Sequence, residues 1–257
     1  MFESAINPVL TTIGPFEIRY YGILLASAFV VGYFLLRKLG KEKGLTGDQI
    51  DEFFIWFIPL VLICARLFHV IFYDPIYFFT HPLEILAFWK GGIASHGGII
   101  GGVLAIVIFC RKYKIKFYDF ADLVVIPFAL GAVFIRIGNF FNGELVGRVS
   151  DVPWAVKFPD YEGFRHPSQI YESIKNFVLF LILYNMRRIK DLPSGVIFWS
   201  SIGIFSFFRF FVEFYKEFPL FFGLNIGQLI SLPLIVICGV MIFLRFKQHK
   251  KKKRPKK

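Results

Sequence analysis

The sequence predicts an all-α integral membrane protein that crosses the bilayer seven times, N-terminus outside and C-terminus in the cytoplasm. Two observations predict the crossings and a third sets their direction. Of the 257 residues, 56% are hydrophobic and the mean hydropathy is +0.61, too apolar for a soluble domain. Apolar stretches recur along the chain near the ~20 residues a helix needs to cross a hydrocarbon core about 30 Å thick. Basic residues cluster after every second stretch.

The spans read as residues 20–36, 51–73, 91–110, 117–141, 169–186, 195–214 and 226–246. Thr46-Gly47-Asp48-Gln49 has the form of a capping box ahead of the second,. Pro167-Ser168 opens the fifth, since proline is tolerated in a first helical turn,. Glu172 and Lys175 make this span the least regular of the set. Arg37, Lys38, Lys41 and Lys43 follow span one, and Arg111, Lys112, Lys114 and Lys116 follow span three. Arg187, Arg188 and Lys190 follow span five, and a polybasic tail of about residues 247–257 follows span seven. Every odd span therefore ends in a cluster that the positive-inside rule places in the cytoplasm.

Two intervening stretches are more than loops. Residues 76–90 are rich in Phe, Leu and Trp but broken at His81-Pro82, and read as an interfacial or re-entrant segment on the outer side. Residues 142–166 are polar and form a small extracytoplasmic insertion in what is otherwise one polytopic membrane domain. No internal repeat is visible, which argues against an inverted-repeat transporter. The N-terminus has Glu3 and no basic n-region, so no removable signal peptide is expected,.

A net charge of +12 invites a nucleic-acid reading. The excess sits in the run 250–257 and in short loops, where lysines beside a span set topology or touch anionic lipid, so nucleic acid is excluded as a partner. The 19% aromatic content, with 35 Phe, suits a surface facing lipid,. Cys64, Cys110 and Cys238 lie inside apolar segments with no metal-ligand spacing, and buried cysteine behaves as a small hydrophobe.

The informative residues are ionisable groups where lipid should be. Arg66, Arg136 and Arg209 fall near the later ends of spans two, four and six, hence in the outer half of the membrane. An arginine at mid-membrane costs about 2.5–3.5 kcal/mol on insertion scales and faces the bundle interior with a partner. One reading pairs each with a carboxylate: Glu213 follows Arg209 by one helical turn, and Glu144 follows Arg136 in the next segment,. The other gathers the guanidinium forks at one level as a phosphate clamp. His96 stands in Ala94-Ser95-His96-Gly97-Gly98 on the same outer side. It reads either as a packing residue among glycines that let helices approach or as a general base, since imidazole titrates near neutrality. Ser95 is a poor nucleophile candidate, because helix neighbours point ~100° apart. Tyr20-Tyr21-Gly22 opens span one at the interface, where tyrosine is commonplace,.

The segment Arg136-Ile137-Gly138-Asn139-Phe140-Phe141-Asn142-Gly143-Glu144-Leu145-Val146-Gly147-Arg148 resembles the signature of the phosphatidylglycerol–prolipoprotein diacylglyceryl transferase family. The likeness runs over essentially the whole chain as an ordered set. It takes in Ile18-Arg19-Tyr20-Tyr21-Gly22, residues 94–98, Arg165-His166-Pro167-Ser168-Gln169-Ile170-Tyr171-Glu172, Phe208-Arg209-Phe210-Phe211-Val212-Glu213-Phe214 and Gly227-Gln228. The resemblance implies transfer of the sn-1,2-diacylglyceryl group of phosphatidylglycerol to the lipobox cysteine of a prolipoprotein signal peptide. A thioether forms and glycerol 1-phosphate is released, in the inner membrane of a bacterial cell. It implies that Arg136 and Arg209 hold the lipid phosphate, that Asn139, Glu144 and Gly147 shape that site, and that His96 and Tyr21 lie near the reacting centre. It implies neither cofactor nor metal. The implied chemistry suits these residues: a thiolate is the nucleophile, and preorganised guanidinium groups stabilise charge growing on a leaving phosphate.

Two positions depart from the family pattern. Phe205 and His69 stand where the family often carries tyrosine. Among rival readings, a retinal-type receptor needs a Schiff-base lysine in its last span, and residues 226–246 contain none,. An anion transporter needs cations along a path to both faces, and a purely structural subunit gives no reason for charges at one depth.

Overall fold

The computed structural model describes residues 2–3, 7–14, 16–87 and 91–253. Residues 88–90 of the outer segment and 254–257 of the basic tail lie outside the described residues. A helix stands at each of the seven expected places: α1 (Tyr20–Glu42), α2 (Gly47–Phe72), α4 (Ser95–Tyr113), α5 (Phe117–Phe141), α6 (Ser168–Met186), α7 (Val196–Val212) and α8 (Ile226–Lys253). A short α3 (Pro75–Thr80) and a 3₁₀ turn (Pro82–Leu86) make up the segment after α2, broken at His81-Pro82 as the sequence indicates. Six of these helices are long and apolar enough to cross a membrane, so the chain is a multi-pass membrane protein; α6 is the exception.

The long elements are all helices, as expected of an all-α membrane chain. Short strands occur among the described residues, each outside the long helices. β1 (Phe2–Glu3) pairs in parallel with β4 (Val156–Lys157), which pairs antiparallel with β5 (Phe164–Arg165). β2 (Val9–Ile13) and β3 (Phe16–Arg19) form a hairpin, as do β6 (Leu220–Phe221) and β7 (Leu224–Asn225). Open sheet edges are tolerated only where water or protein satisfies their backbone groups, which confines such pieces to the connections.

The described chain divides into two compact units, Met1–Leu36 with Asp122–Lys257, and Arg37–Ala121. In the second, α2 starts with the expected capping box: Gln49 N donates to Thr46 Oγ1 at 3.2 Å, and Thr46 N donates to Gln49 Oε1 at 2.9 Å. α4 lies against α2 with almost no gap. A β-carbon on Gly97 would sit 2.2 Å from Cys64 O, and one on Gly101 2.4 Å from Leu60 O. These two glycines are one turn apart, so they open one stripe along which the backbones meet. Phe53, Phe109 and Phe120 close the far end, with Phe109 stacked on Phe120 at 4.2 Å.

In the first unit, Gly131 faces the Ala28 β-carbon, bringing α1 and α5 together. Asp122 caps α7 from another helix, accepting from Gly195 N and Phe198 N, each at 2.7 Å. α8 opens with its own capping box: Gln228 N donates to Asn225 Oδ1 at 2.9 Å and Asn225 N to Gln228 Oε1 at 3.0 Å, which gives Gln228 of the late motif a physical task. α6 is inverted in polarity. Ile174, Phe177, Val178 and Leu181 are exposed, at the spacing of one helical face,. Ser168, Gln169, Glu172, Ser173, Lys175 and Asn176 are buried.

Candidate active site

The site begins where α5 ends. Arg136 and Asn139 are three residues apart, so their side chains share a face, and Arg136 Nη1 donates to Asn139 Oδ1 at 3.4 Å. The chain then turns through Gly143, whose φ of +67° favours glycine,. That turn brings Glu144 back: Asn139 Nδ2 donates to its Oε2 at 3.1 Å and Asn142 Nδ2 to its Oε1 at 3.0 Å. The first turn of α6 holds the loop from the other side. Gln169 Nε2 donates to Glu144 O at 2.6 Å, and Ser168 Oγ to Leu145 O at 2.7 Å. Gly147 is wedged between backbones, its N–H donating to His166 O at 3.0 Å. A β-carbon there would lie 2.6 Å from both His166 O and Tyr215 O.

Below this loop lies a chain of buried ions. Glu172 Oε2 accepts from Lys175 Nζ at 2.5 Å and faces Arg136 Nε at 4.0 Å, while its Oε1 accepts from Lys216 Nζ at 2.7 Å. Lys216 also donates to Glu213 Oε1 at 3.1 Å, and the same oxygen takes Arg209 Nε at 3.2 Å. Asn225 Nδ2 donates to Glu213 Oε2 at 3.1 Å. Removing Glu172 would leave Lys175 buried and unpaired, at a cost of several kcal/mol, while Lys216 would keep Glu213. Four cations share two carboxylates, and with Glu144, which Asn139 joins to Arg136, one positive charge stays uncompensated within the network. The surplus has a definite place. The side chains of Glu172, Glu213 and Lys175 are no more than 3% exposed, whereas Arg136 is 28% and Arg209 42% exposed. The two arginines are therefore the accessible cations of this network, each with guanidinium donors to spare among the described residues. Such an arrangement suits an anion with several oxygens.

Of the residues singled out in the sequence, Arg136, Asn139, Glu144, Gly147 and Arg209 belong to this one assembly. Tyr21 joins it through its ring, which occupies the space a β-carbon on Gly138 would need, 2.8 Å away. Glu144 is not the carboxylate facing Arg136; Glu172 is, because two asparagines hold Glu144. Arg209 pairs with Glu213 as the one-turn spacing allows. Arg66 does not share the role of the other two arginines. It is 3% exposed, and its guanidinium donates to Glu84 O, Ile85 O, Gly91 O and Gly92 O. It ties down the outer segment, and its Nε, Nη1 and Nη2 are all engaged. His96 lies in the second unit, on the first turn of α4, exposed and stacked on Phe68 at 5.7 Å. His69 Nε2 lies 3.5 Å from Asp74 Oδ2 in the same unit.

The sequence profile of the prolipoprotein diacylglyceryl transferase family matches residues 8–244. The chain belongs to that family. Curated relatives named phosphatidylglycerol–prolipoprotein diacylglyceryl transferase include one from Geobacter sulfurreducens, 39% identical over 241 residues and covering 90% of this chain and 92% of its own. One from Bordetella avium is 39% identical over 250 residues, covering 92% and 93%. One from Tolumonas auensis is 35% identical over 245 residues, covering 93% and 95%.

In this member of the diacylglyceryl transferase family, Lys175, Lys216 and Asn225 escaped sequence reasoning as site residues, and Glu172 entered only as part of a motif. A signal was present for two of them: Glu172 and Lys175 were the charges that made the fifth apolar stretch irregular, and an ionisable group within such a stretch is a functional candidate. Phe205 also gains a meaning. Its ring lies under the Lys175 ammonium, 3.8 Å from Nζ to centroid. Outside the spans, His166 Nδ1 lies 3.0 Å from Tyr171 Oη, which accepts from Trp154 Nε1 at 2.7 Å. Burial, and then the Arg148 charge, hold the His166 imidazole below the usual histidine range.

Proposed function

We propose that this chain transfers the diacylglyceryl group of phosphatidylglycerol to prolipoprotein, the reaction for which its relatives are named. The observation that carries the reading is the surplus charge at Arg136 and Arg209, the exposed ends of an otherwise neutralised and buried ion network. Two guanidinium forks match the oxygens of a phosphodiester, and they stabilise the charge that develops when that phosphate leaves.

In finer detail, the acceptor is the lipobox cysteine of the signal peptide. Its sulfur attacks the glyceryl carbon that bears the phosphate. The S–C bond forms as the C–O bond breaks, and the electron pair goes to the phosphate oxygen, which departs as glycerol 1-phosphate. Arg136 and Arg209 hold that phosphate, with Asn139, Glu144 and Gly147 fixing the loop around Arg136 and Tyr21 bordering it. The thiol proton goes to a general base, a role for which His96 is the candidate the sequence offers. The protein sits in the bacterial inner membrane with seven crossings, outer N-terminus and cytoplasmic C-terminus. The inverted polarity of α6 supports the seventh crossing: its exposed face is apolar and its charges turn inward,.

The test is a transfer assay with purified protein in detergent or proteoliposomes, phosphatidylglycerol and a lipobox peptide, followed by mass spectrometry. Wild type should add a diacylglyceryl mass at cysteine, and Arg136→Ala should not. Unmodified peptide from folded wild type, in lipid that keeps a family member active, would overturn the reading.

A further inference from the structure

Arg136 faces a carboxylate that it does not reach. Its Nε is 4.0 Å from Glu172 Oε2, too far for a hydrogen bond,. Lys175 Nζ already occupies that same oxygen at 2.5 Å, and Lys216 holds the other at 2.7 Å. Lys175 is in turn fixed from its far side by the Phe205 ring, a face that attracts a desolvated ammonium. Lys175 is 4% exposed, so its ammonium depends on Glu172 for a partner.

We propose that Lys175 is a positioning residue for the transfer reaction: by occupying Glu172 Oε2 it prevents that carboxylate from capturing Arg136, and so keeps the guanidinium free for the lipid phosphate. An arginine beside a carboxylate oxygen that nothing else occupies closes onto it in a charge-assisted hydrogen bond, and a guanidinium so held is turned away from an incoming anion. Phe205 takes part by holding the ammonium in place, so aromatic character at position 205 acts here through a cation rather than through a hydroxyl. The inference rests on the reading of Arg136 as a phosphate-holding residue.

The experiment measures KM for phosphatidylglycerol, as mole fraction in mixed micelles, together with kcat, on monodisperse fractions of each variant. Lys175→Met should raise KM by about tenfold with a smaller change in kcat, because binding of the phosphate is what is lost. Lys175→Met combined with Glu172→Gln should return KM most of the way, since the captor of Arg136 has gone. Phe205→Leu, which leaves every charge in place and keeps the test alive if Lys175→Met does not fold, should raise KM by about threefold, as a loosened cation–π contact would. A Lys175→Met enzyme with normal KM and only reduced kcat or melting temperature would overturn the proposal, as would an equally raised KM in the double variant. Arg136→Ala run alongside separates the two levels. If it leaves turnover at wild-type KM, the phosphate-clamp reading itself fails; if it abolishes transfer while Lys175→Met keeps its KM, only the positioning role fails.

Discussion

Gly227 lies directly against the carboxylate of Glu213: a β-carbon on the glycine would sit 2.7 Å from Glu213 Cδ and 2.9 Å from Oε1. Glu213 is the residue through which Arg209, Lys216 and Asn225 are joined. The absence of a side chain at Gly227 of α8 therefore decides where an ion-pair partner on the end of α7 can stand. Gly227→Ala should push the carboxylate away from Arg209 and Lys216, destabilising the fold by about 1–3 kcal/mol. Melting in detergent and the transfer assay should both register it. Unchanged melting and turnover would mean that the end of α7 yields freely.

Arg209 offers its guanidinium both to Glu213 and outward, a division that a single ammonium cannot reproduce,. Arg209→Lys should retain the fold but lower kcat/KM for phosphatidylglycerol by at least about tenfold. Equal kcat/KM in the two enzymes would reduce the residue to a point charge.

Gly101 stands against the Leu60 carbonyl, so the contact between α2 and α4 rests on the absence of a side chain. Gly101→Leu should prevent that approach and abolish monodisperse expression. Gly102→Ala, whose nearest neighbour is a Phe57 ring atom 3.5 Å from the β-carbon position, should be tolerated. The pair is read by size-exclusion chromatography, and similar profiles would count against the close approach.

His166 predicts a pH dependence. Its folded pKa lies below the unfolded value, so the folded state disfavours the imidazolium. Stability is then complete above the unfolded pKa of about 6.5 and falls as pH drops below it, toward the folded pKa. Melting of wild type should decline as pH falls below about 6.5, and His166→Gln should flatten that decline. A wild-type profile equally shallow would remove His166 as its source.

Much of the helical frame was legible because a membrane constrains the chain so narrowly. Length and apolarity placed the helices: α5 spans the residues expected of it, and Thr46 caps α2 through the predicted box. Position along the spans also marked Arg136 and Arg209, and the motif around Asn139 and Glu144 marked the loop that encloses one of them. The short strands were not legible. Each pairs over only two to five residues, too brief for alternation to register against an apolar background.

What the sequence by itself determined was which segments must be helices and which charges needed partners, since both follow from the cost of bare backbone and bare charge in hydrocarbon. Which partner each charge found was decided only by the tertiary structure. Arg66 and Arg136 look alike in sequence, each an arginine near the later end of an apolar helix. The fold surrounds one with four backbone carbonyls and sets the other 4.0 Å from a carboxylate already taken by lysine. Hydrogen-bond partners depend on what distant segments bring within about 3 Å, and no local pattern encodes that distance.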